Sequence, residues 1–158
     1  MLRDIPNNTA CFVDANIIYY SLVTTPNLTV DCVDFFRRIA RGELVASSSS
    51  AVIAEATHKV MLADAVQQHS LSRQGLAHRL QKQRRLVSTL SEHKKVVNLF
   101  RRINIHVEFV TLDLLERAAD ISIQHQLLTN DALTVAVMEK LRLTDIATND
   151  DDLTRLLT

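Results

Sequence analysis

The sequence has few of the residues that interrupt regular structure or support sulfur chemistry. Of its 158 residues only two are Gly, two are Pro and two are Cys, and Trp is absent. Because Gly and Pro are the main helix breakers, their scarcity predicts a mostly helical chain. Cys11 and Cys32 show no CxxC spacing, which argues against a zinc framework or a disulfide scaffold and predicts two buried, reduced thiols.

Long hydrophobic runs are also missing. No apolar stretch approaches the ~18 residues that a membrane span needs. The N-terminal segment MLRDIPNNTA is polar where a signal peptide is apolar. These absences predict a cytoplasmic protein. Hydrophobic residues make up 47% of the chain and charged residues 23%, which suits a single soluble domain with one well-buried core.

The formal net charge is zero, but the charge is unevenly distributed. Residues 70–102 contain nine Lys or Arg and one acid, a net charge of +8. The remaining residues contain nine basic and 17 acidic side chains, a net charge of −8. The sequence therefore predicts a basic segment attached to an acidic body.

Short apolar runs alternate with segments of helical periodicity, a pattern typical of a parallel α/β sheet. Strands are predicted at residues 10–13, 44–46, 105–110 and 146–148. The serines at 47–50 favour the N-cap of a helix that begins near Ala51. A helix at residues 29–41 is predicted to end before Gly42. Later helices are predicted to be capped by Thr111 or Asp113 and by Thr129 or Asn130.

The stretch between residues 63 and 103 stays compatible with helix throughout. It predicts a long helical hairpin, called the basic arm below, with breaks near Ser70 and at Gly75. The overall prediction is a single domain over residues 1–158 with a three-layer α/β/α fold, a short central parallel sheet and this inserted arm.

Four acidic residues occur where predicted strands end or predicted helices begin. Asp14 ends the first strand, and Asp150 follows the last. Glu55 lies about one turn into a helix, and Asp131 lies in the first turn of another. Because open α/β folds bind ligands at the carboxyl edge of the sheet, these acids predict a site for one or two Mg²⁺ or Mn²⁺ ions, which take oxygen ligands. Metal-assisted phosphodiester hydrolysis is the chemistry such a site performs.

Each acid also has a simpler explanation. Asp14 can start a turn or cap a helix, and the helix dipole favours Asp131 without any function. Residues 150–152 can form a solvated acidic turn. Glu55 and His58 form the Glu-x-x-His pair of di-iron bundles, but those sites need two such motifs and the sequence has one.

In order and context, the motifs VDANIIYY, AEATHKV, TNDALTVAV and ATNDDDL resemble the PIN-domain nucleases, most closely their small VapC-type toxin members, over nearly the whole chain. The resemblance implies that four acids are both catalytic and metal-binding: Asp14, Glu55, Asp131 and Asp150. It implies supporting polar roles for Asn16 and Thr148, and Asp152 is a further supporting candidate. It also implies a Mg²⁺- or Mn²⁺-dependent ribonuclease, a homodimer, and a partner antitoxin whose segment occupies the active-site groove.

The interpretation is therefore a PIN-like toxin ribonuclease whose basic arm holds flanking phosphates. The candidate nucleic-acid contacts are Arg79, Lys82, Arg84 and Arg85. No aromatic residue lies between Phe36 and Phe100, so the arm does not itself support base stacking. Two alternatives stay open. One is a catalytically silent PIN-fold module that binds protein or RNA. The other is a structure-specific DNA nuclease, because nothing in the sequence distinguishes a protein that recognises the 2′-hydroxyl of RNA from one that recognises the shape of a duplex.

Overall fold

The computed structural model describes residues 2–150 and contains a four-stranded, fully parallel sheet. Its strands are β1 (Ala10–Val13), β2 (Val45–Ser49), β3 (Ile105–Glu108) and β4 (Asp145–Ala147), in the spatial order β3-β2-β1-β4. β1 lies opposite β2 on one side and β4 on the other, with Val13 paired to Ala147. Because all pairs are parallel, the carboxyl ends of the strands share one edge. The predicted α/β fold is confirmed.

Eight α-helices and one 3-10 turn (Leu2–Asp4) surround this sheet within the described residues. The helices are α1 (Ala15–Leu22), α2 (Thr29–Ala40), α3 (Ser50–His69), α4 (Leu76–Lys82), α5 (Arg84–Val87), α6 (Lys94–Arg102), α7 (Leu112–His125) and α8 (Thr129–Leu141). None of them is long and apolar enough to cross a membrane.

The core is centred on β1. Cys11, Phe12 and Val13 are completely buried although successive side chains point to opposite faces of the sheet. Both faces of β1 are therefore covered, as expected for a parallel sheet between helical layers. Burial raises the pKa of the thiols of Cys11 and Cys32 to about 11, so both are protonated at neutral pH.

The serines after the second predicted strand differ from the prediction. Ser47, Ser48 and Ser49 belong to β2, which runs to Ser49 rather than ending at residue 46, and Ser50 begins α3. Ser48 is completely buried and its hydroxyl donates to the Val13 carbonyl oxygen at 3.0 Å, so a serine fits the sheet interior here. Ser49 then caps α3 by accepting from the Val52 N–H at 3.2 Å.

Other boundaries shift for local reasons. β3 ends at Glu108 instead of residue 110, because its partner β2 ends at Ser49, opposite Glu108. The Val110 N–H donates to the Ser50 hydroxyl at 3.2 Å. β4 lies one residue earlier than predicted. Thr111 caps α7, as expected. The cap predicted for α8 at Thr129 or Asn130 is wrong, since Leu128 occupies that position without a side-chain hydrogen bond.

The basic arm is helical but not one continuous hairpin. α3 extends into it and ends at His69, with Ser70 as its C-cap, and α4 begins after Gly75. Ser70 and Gly75 have positive φ (50° and 61°) and mark the two predicted breaks. A small separate core holds the arm together, formed by Ala65, Leu76, Leu80 and Leu90. The arm therefore consists of short helices and turns that share this core with α3, instead of a long hairpin.

A buried carboxylate fastens the far end of the arm to α3. The Asp64 side chain is 3% exposed and accepts hydrogen bonds from the backbone N–H groups of Ser91 (2.9 Å) and Glu92 (3.0 Å) and from the Gln68 amide (2.7 Å). These bonds position the segment that leads into α6.

Candidate active site

Asp14 lies directly after β1 and starts α1. It is the N-cap of that helix, and its Oδ1 accepts from the Ala15 N–H at 2.6 Å. The Thr148 hydroxyl donates to the other oxygen, Oδ2, at 2.8 Å. Thr148 is in reach because β4 pairs with β1, and the Asp14 N–H donates to the Ala147 carbonyl oxygen at 3.1 Å. The carboxylate is therefore held from two directions.

The environment of Asp14 disfavours an uncompensated negative charge. Burial raises the pKa of this carboxyl group, and nearby Glu55 raises it further. The hydrogen bonds from Thr148 and Ala15 and the positive charge of Lys59 oppose this rise without cancelling it. A buried carboxylate of this kind gains from an additional cation.

Lys59 provides the cation in this structure. Its Nζ lies 2.7 Å from Glu55 Oε1, one turn earlier on α3, and 2.9 Å from Asn16 Oδ1 on α1. The ammonium group thus links α1 to α3 between two of the predicted site residues. Sequence reasoning missed Lys59, although its spacing of four from Glu55 is that of a helical ion pair.

The start of α8 contacts the second carboxylate oxygen of Glu55. Asn130 Nδ2 donates to Glu55 Oε2 at 3.1 Å. Asp131 follows in the first turn of α8 and is half-buried. Asn130 was predicted only as a helix cap, and its place beside Asp131 in the TND motif was the available signal for a role in the site.

Asp150 is connected to Asp14 through Thr148. Its backbone N–H donates to Thr148 Oγ1 at 3.0 Å, and the residue is half-buried. Asp152, the further supporting candidate, lies outside the described residues. The contacts thus form two short series, one from Asp150 through Thr148 to Asp14, and one from Asn16 through Lys59 and Glu55 to Asn130.

The donor atoms of this site fit a hard divalent cation. Within residues 2–150 no three His, Cys, Asp or Glu side chains are gathered closely enough to hold one metal ion together. Carboxylate and amide oxygens of Glu55 and Asn16 instead surround the ammonium group of Lys59. These are the oxygen ligands that Mg²⁺ and Mn²⁺ take. The chemical type of these donor atoms therefore suits a divalent ion, which Glu55 and Asn16 would help to hold.

The basic arm presents some of its predicted RNA contacts to solvent. Lys82, Arg84 and Arg85 are exposed on α4 and α5. Arg79 is half-buried, and its guanidinium group donates to the Ser72 carbonyl oxygen, closing the turn before α4. The three exposed residues are therefore better placed than Arg79 for contacts to phosphate.

Comparison with known proteins gives two matches. The PIN domain family profile matches residues 11–156. The crystal structure of VapC20 from Mycobacterium tuberculosis, a sarcin-ricin loop cleaving toxin, is similar with a TM-score of 0.63 and 18% sequence identity, over 92% of this chain and 94% of that chain. No curated protein sequence matches the chain significantly. The structural similarity shows a shared fold.

Proposed function

Because this chain belongs to the PIN domain family, we propose that it is a metal-dependent endoribonuclease that hydrolyses RNA phosphodiester bonds. One observation carries the proposal: the carboxyl edge of the parallel sheet holds a buried Asp14 carboxylate near Glu55, with the Lys59 ammonium group as their counter-ion. A site of this charge repels RNA unless bound cations reverse its local potential. Binding of RNA and binding of metal are therefore coupled.

The proposed metal-binding and catalytic residues are Asp14, Glu55, Asp131 and Asp150, with one or two Mg²⁺ or Mn²⁺ ions. A bound ion would supply Lewis-acid stabilisation of the charge that develops on the phosphate. Thr148 orients the carboxylate of Asp14 through its hydroxyl group. Asn130 orients that of Glu55 through its amide. These polar neighbours fix the carboxylates before substrate arrives, which lowers the cost of organising the site.

The proposal includes a toxin role, with a protein antitoxin as the partner and a homodimer as the assembly. The similarity in fold to the VapC20 toxin supports the first part. Exposed apolar side chains at the start of α7 support a protein contact, since Phe109 is 72% exposed and Leu112 is 77% exposed. Neighbouring exposed apolar groups of this size are typical of interaction surfaces.

The decisive experiment is cleavage of a mixed pool of structured RNAs by the purified protein with Mg²⁺ or Mn²⁺, beside EDTA and a matched pool of DNA. Metal-dependent cuts in RNA alone support the proposal. Equal cutting of the DNA pool would favour the DNA nuclease. Binding of RNA without any cut, at every metal concentration, would favour the catalytically silent module.

Lys59 is expected to compete with the metal ion. Lys59→Met removes the ammonium group and the repulsion it exerts on an incoming cation, so Mn²⁺ should bind about fivefold more tightly, equivalent to ~1 kcal/mol for this partly exposed ion pair. Isothermal titration calorimetry without RNA measures the change directly.

The matched control is Lys140→Met. Lys140 pairs with Glu108 at 2.8 Å, outside the proposed ligand set, so its loss should leave Mn²⁺ affinity unchanged. Weaker Mn²⁺ binding by Lys59→Met would contradict the competition and show that Lys59 holds Glu55 in its metal-binding position.

The exposed arginines of α5 are expected to contribute to RNA affinity through phosphate contacts. The double variant Arg84→Ala, Arg85→Ala should weaken binding and reduce the slope of log K against log salt by about 1.4, or ~0.7 for each lost contact with a single strand. Fluorescence anisotropy with a labelled RNA at several salt concentrations provides the slope.

Arg37→Ala, Arg41→Ala is the charge-matched control. Both residues are exposed at the end of α2, just before β2 and so towards the amino edge of the sheet. An identical slope for the two double variants would assign the basic arm a structural role instead of RNA contact.

A further inference from the structure

A pocket of about 290 Å³ opens next to the Lys59–Asn16 pair, between α1, α3 and the start of α4. This volume is just below the ~300–1,000 Å³ typical of small-molecule sites. Asn16 and Lys59 form part of its wall, so the pocket and the carboxylate site are adjacent. A group bound in the pocket would lie directly beside the proposed reaction centre.

The pocket is aromatic on one side and apolar on the other. The chain has only two tyrosines, and both Tyr19 and Tyr20 line it. Their rings are in edge-to-face contact, with centroids 5.4 Å apart and an interplanar angle of 71°. The apolar lining comes from α3 and α4 and includes Leu62, Val66 and Leu76.

The polar edge of the pocket carries two cationic side chains, one of which, Lys59, is paired with Glu55. Lys59 lies on the side of the carboxylate site, and the exposed Arg73 contributes a second cation to the lining. The pocket therefore offers an apolar, aromatic interior with cationic groups at its border. A nucleotide has the complementary distribution, with a flat base on one side and a phosphate on the other.

We propose that this tyrosine pocket binds the unpaired base of a nucleotide next to the cleaved phosphodiester bond of single-stranded RNA. The inference rests on the ribonuclease function proposed above. Proteins that recognise single-stranded RNA stack splayed bases on aromatic side chains, and the cations at the border attract the adjoining phosphates. Since Asn16 and Lys59 belong to both pocket and reaction site, the base in the pocket and the reacting phosphate belong to neighbouring nucleotides.

An apolar side chain of a protein partner would also fill such a pocket. The two cations at its edge and its continuity with the carboxylate site favour RNA, because a nucleotide chain carries an anionic group at every step along its backbone. The tyrosine pocket also supplies the base-stacking surface that the basic arm lacks. Specificity for the nucleotide beside the cut follows from this contact.

The test uses a single-stranded RNA oligonucleotide that spans a cut site mapped with the wild-type protein. Binding is measured by anisotropy with Mg²⁺ in the Asp14→Asn background, where the oligonucleotide stays intact. Tyr19→Leu should lower affinity at least about fivefold because it removes a stacking ring. Tyr19→Phe keeps the ring and should bind the oligonucleotide with the same affinity as the Asp14→Asn parent. This comparison separates loss of stacking from a general loss of packing.

Oligonucleotides with a single abasic position provide the second measurement and do not depend on how well Tyr19→Leu folds. One position next to the cut should show a loss of affinity similar to that of Tyr19→Leu, and the two losses should not add. Equal affinity for all abasic oligonucleotides would overturn the inference. Unchanged RNA binding by folded Tyr19→Leu would also overturn it and leave the pocket to a protein side chain.

The inference and the proposed function fail in different ways. If the wild-type protein cuts RNA and the pocket measurements show no effect, only the base-binding inference is overturned. If the wild-type protein cuts no RNA with any metal, no cut site can be mapped, and the inference is overturned together with the ribonuclease proposal.

Discussion

Asp14→Asn is expected to abolish metal-dependent RNA cleavage while the protein stays folded. The substitution removes the negative charge of the most buried of the proposed ligands at nearly constant volume. Changes to residues that only support metal ligands typically cost about 10- to 100-fold in affinity or activity, so loss of a ligand itself should lower the cleavage rate by more than about 100-fold. Single-turnover cleavage of one RNA substrate, with wild type and variant side by side, measures the effect.

The folded state should tolerate this change well. The asparagine side chain can still accept from the Ala15 N–H, and the buried negative charge that the site disfavours is gone. The thermal midpoint of the metal-free variant at neutral pH should therefore equal or exceed that of the wild type. Such a gain in stability with a loss of function is typical of active-site residues.

Asp145→Asn is the matched control for Asp14→Asn. Asp145 starts β4 opposite Cys11 and is exposed, at the other end of the same strand pair. Its replacement should leave both the cleavage rate and Mn²⁺ binding intact. If Asp14→Asn cleaved at the wild-type rate with normal metal dependence, the assignment of the carboxylate site would be wrong.

Asp64→Ala should produce the largest loss of stability. It removes the acceptor of two backbone N–H groups and one side-chain amide at a nearly buried position. Hydrogen bonds to a charged group are each worth about 1.5–3 kcal/mol and partial replacement by water recovers some of that, so the free energy of unfolding should fall by about 3 kcal/mol. For a domain of this size the thermal midpoint should drop by about 6–12 °C.

The loss should depend on pH. Burial alone would raise the pKa of Asp64, but hydrogen bonds from Glu92, Ser91 and Gln68 and the nearby His93 lower it overall in the folded protein. The contribution of the ionised group is therefore present above the unfolded pKa of about 3.9 and is lost as pH falls through the lower folded pKa. Denaturation at a series of pH values should show the difference between wild type and Asp64→Ala shrinking in acid.

Two further variants test whether the loss of stability comes from the hydrogen bonds of Asp64. Asp64→Asn keeps one carbonyl acceptor and should lose less stability than Asp64→Ala. Asp120→Ala removes an exposed carboxylate from the middle of α7 and should change the free energy of unfolding by no more than about 0.5 kcal/mol. If Asp64→Ala proved as stable as Asp120→Ala, the bonds to the Ser91 and Glu92 backbone would contribute little to holding the arm.

The order of strands and helices, and the positions where β1 and α2 end, could be predicted because they depend on local sequence. β1 is an apolar run that stops at Asp14, and α2 is an apolar-periodic segment that stops before Gly42, which has φ 73°. β2 was harder because serine favours caps and turns. Ser48 is accepted in the sheet interior only because the Val13 carbonyl oxygen, 35 residues away in sequence, receives its hydroxyl.

The site could be predicted as a set of residues but not as an arrangement. The position of Asp14 follows from the end of a strand, and Thr148 follows from the pairing of β1 with β4. The central place of Lys59 does not follow from the sequence around it. It depends on how closely α1 approaches α3, which brings Asn16 Oδ1 within 2.9 Å of Lys59 Nζ. The same holds for Asn130, which reaches Glu55 from 75 residues away.

The hydrogen bond between Thr148 and Asp14 joins residues 134 positions apart, which has a consequence for folding kinetics. β1 pairs with β2 through residues about 35 positions apart in sequence, whereas β4 must close a loop that includes β2, β3 and all eight α-helices. Closing a longer loop costs more chain entropy, and contacts of high sequence separation slow folding. A chain in which β4 has not yet docked has its central strand in place but lacks the partner of its key carboxylate. If the proposed nuclease function holds, cleavage therefore requires the completely folded molecule, and partly folded chains are expected to be inactive.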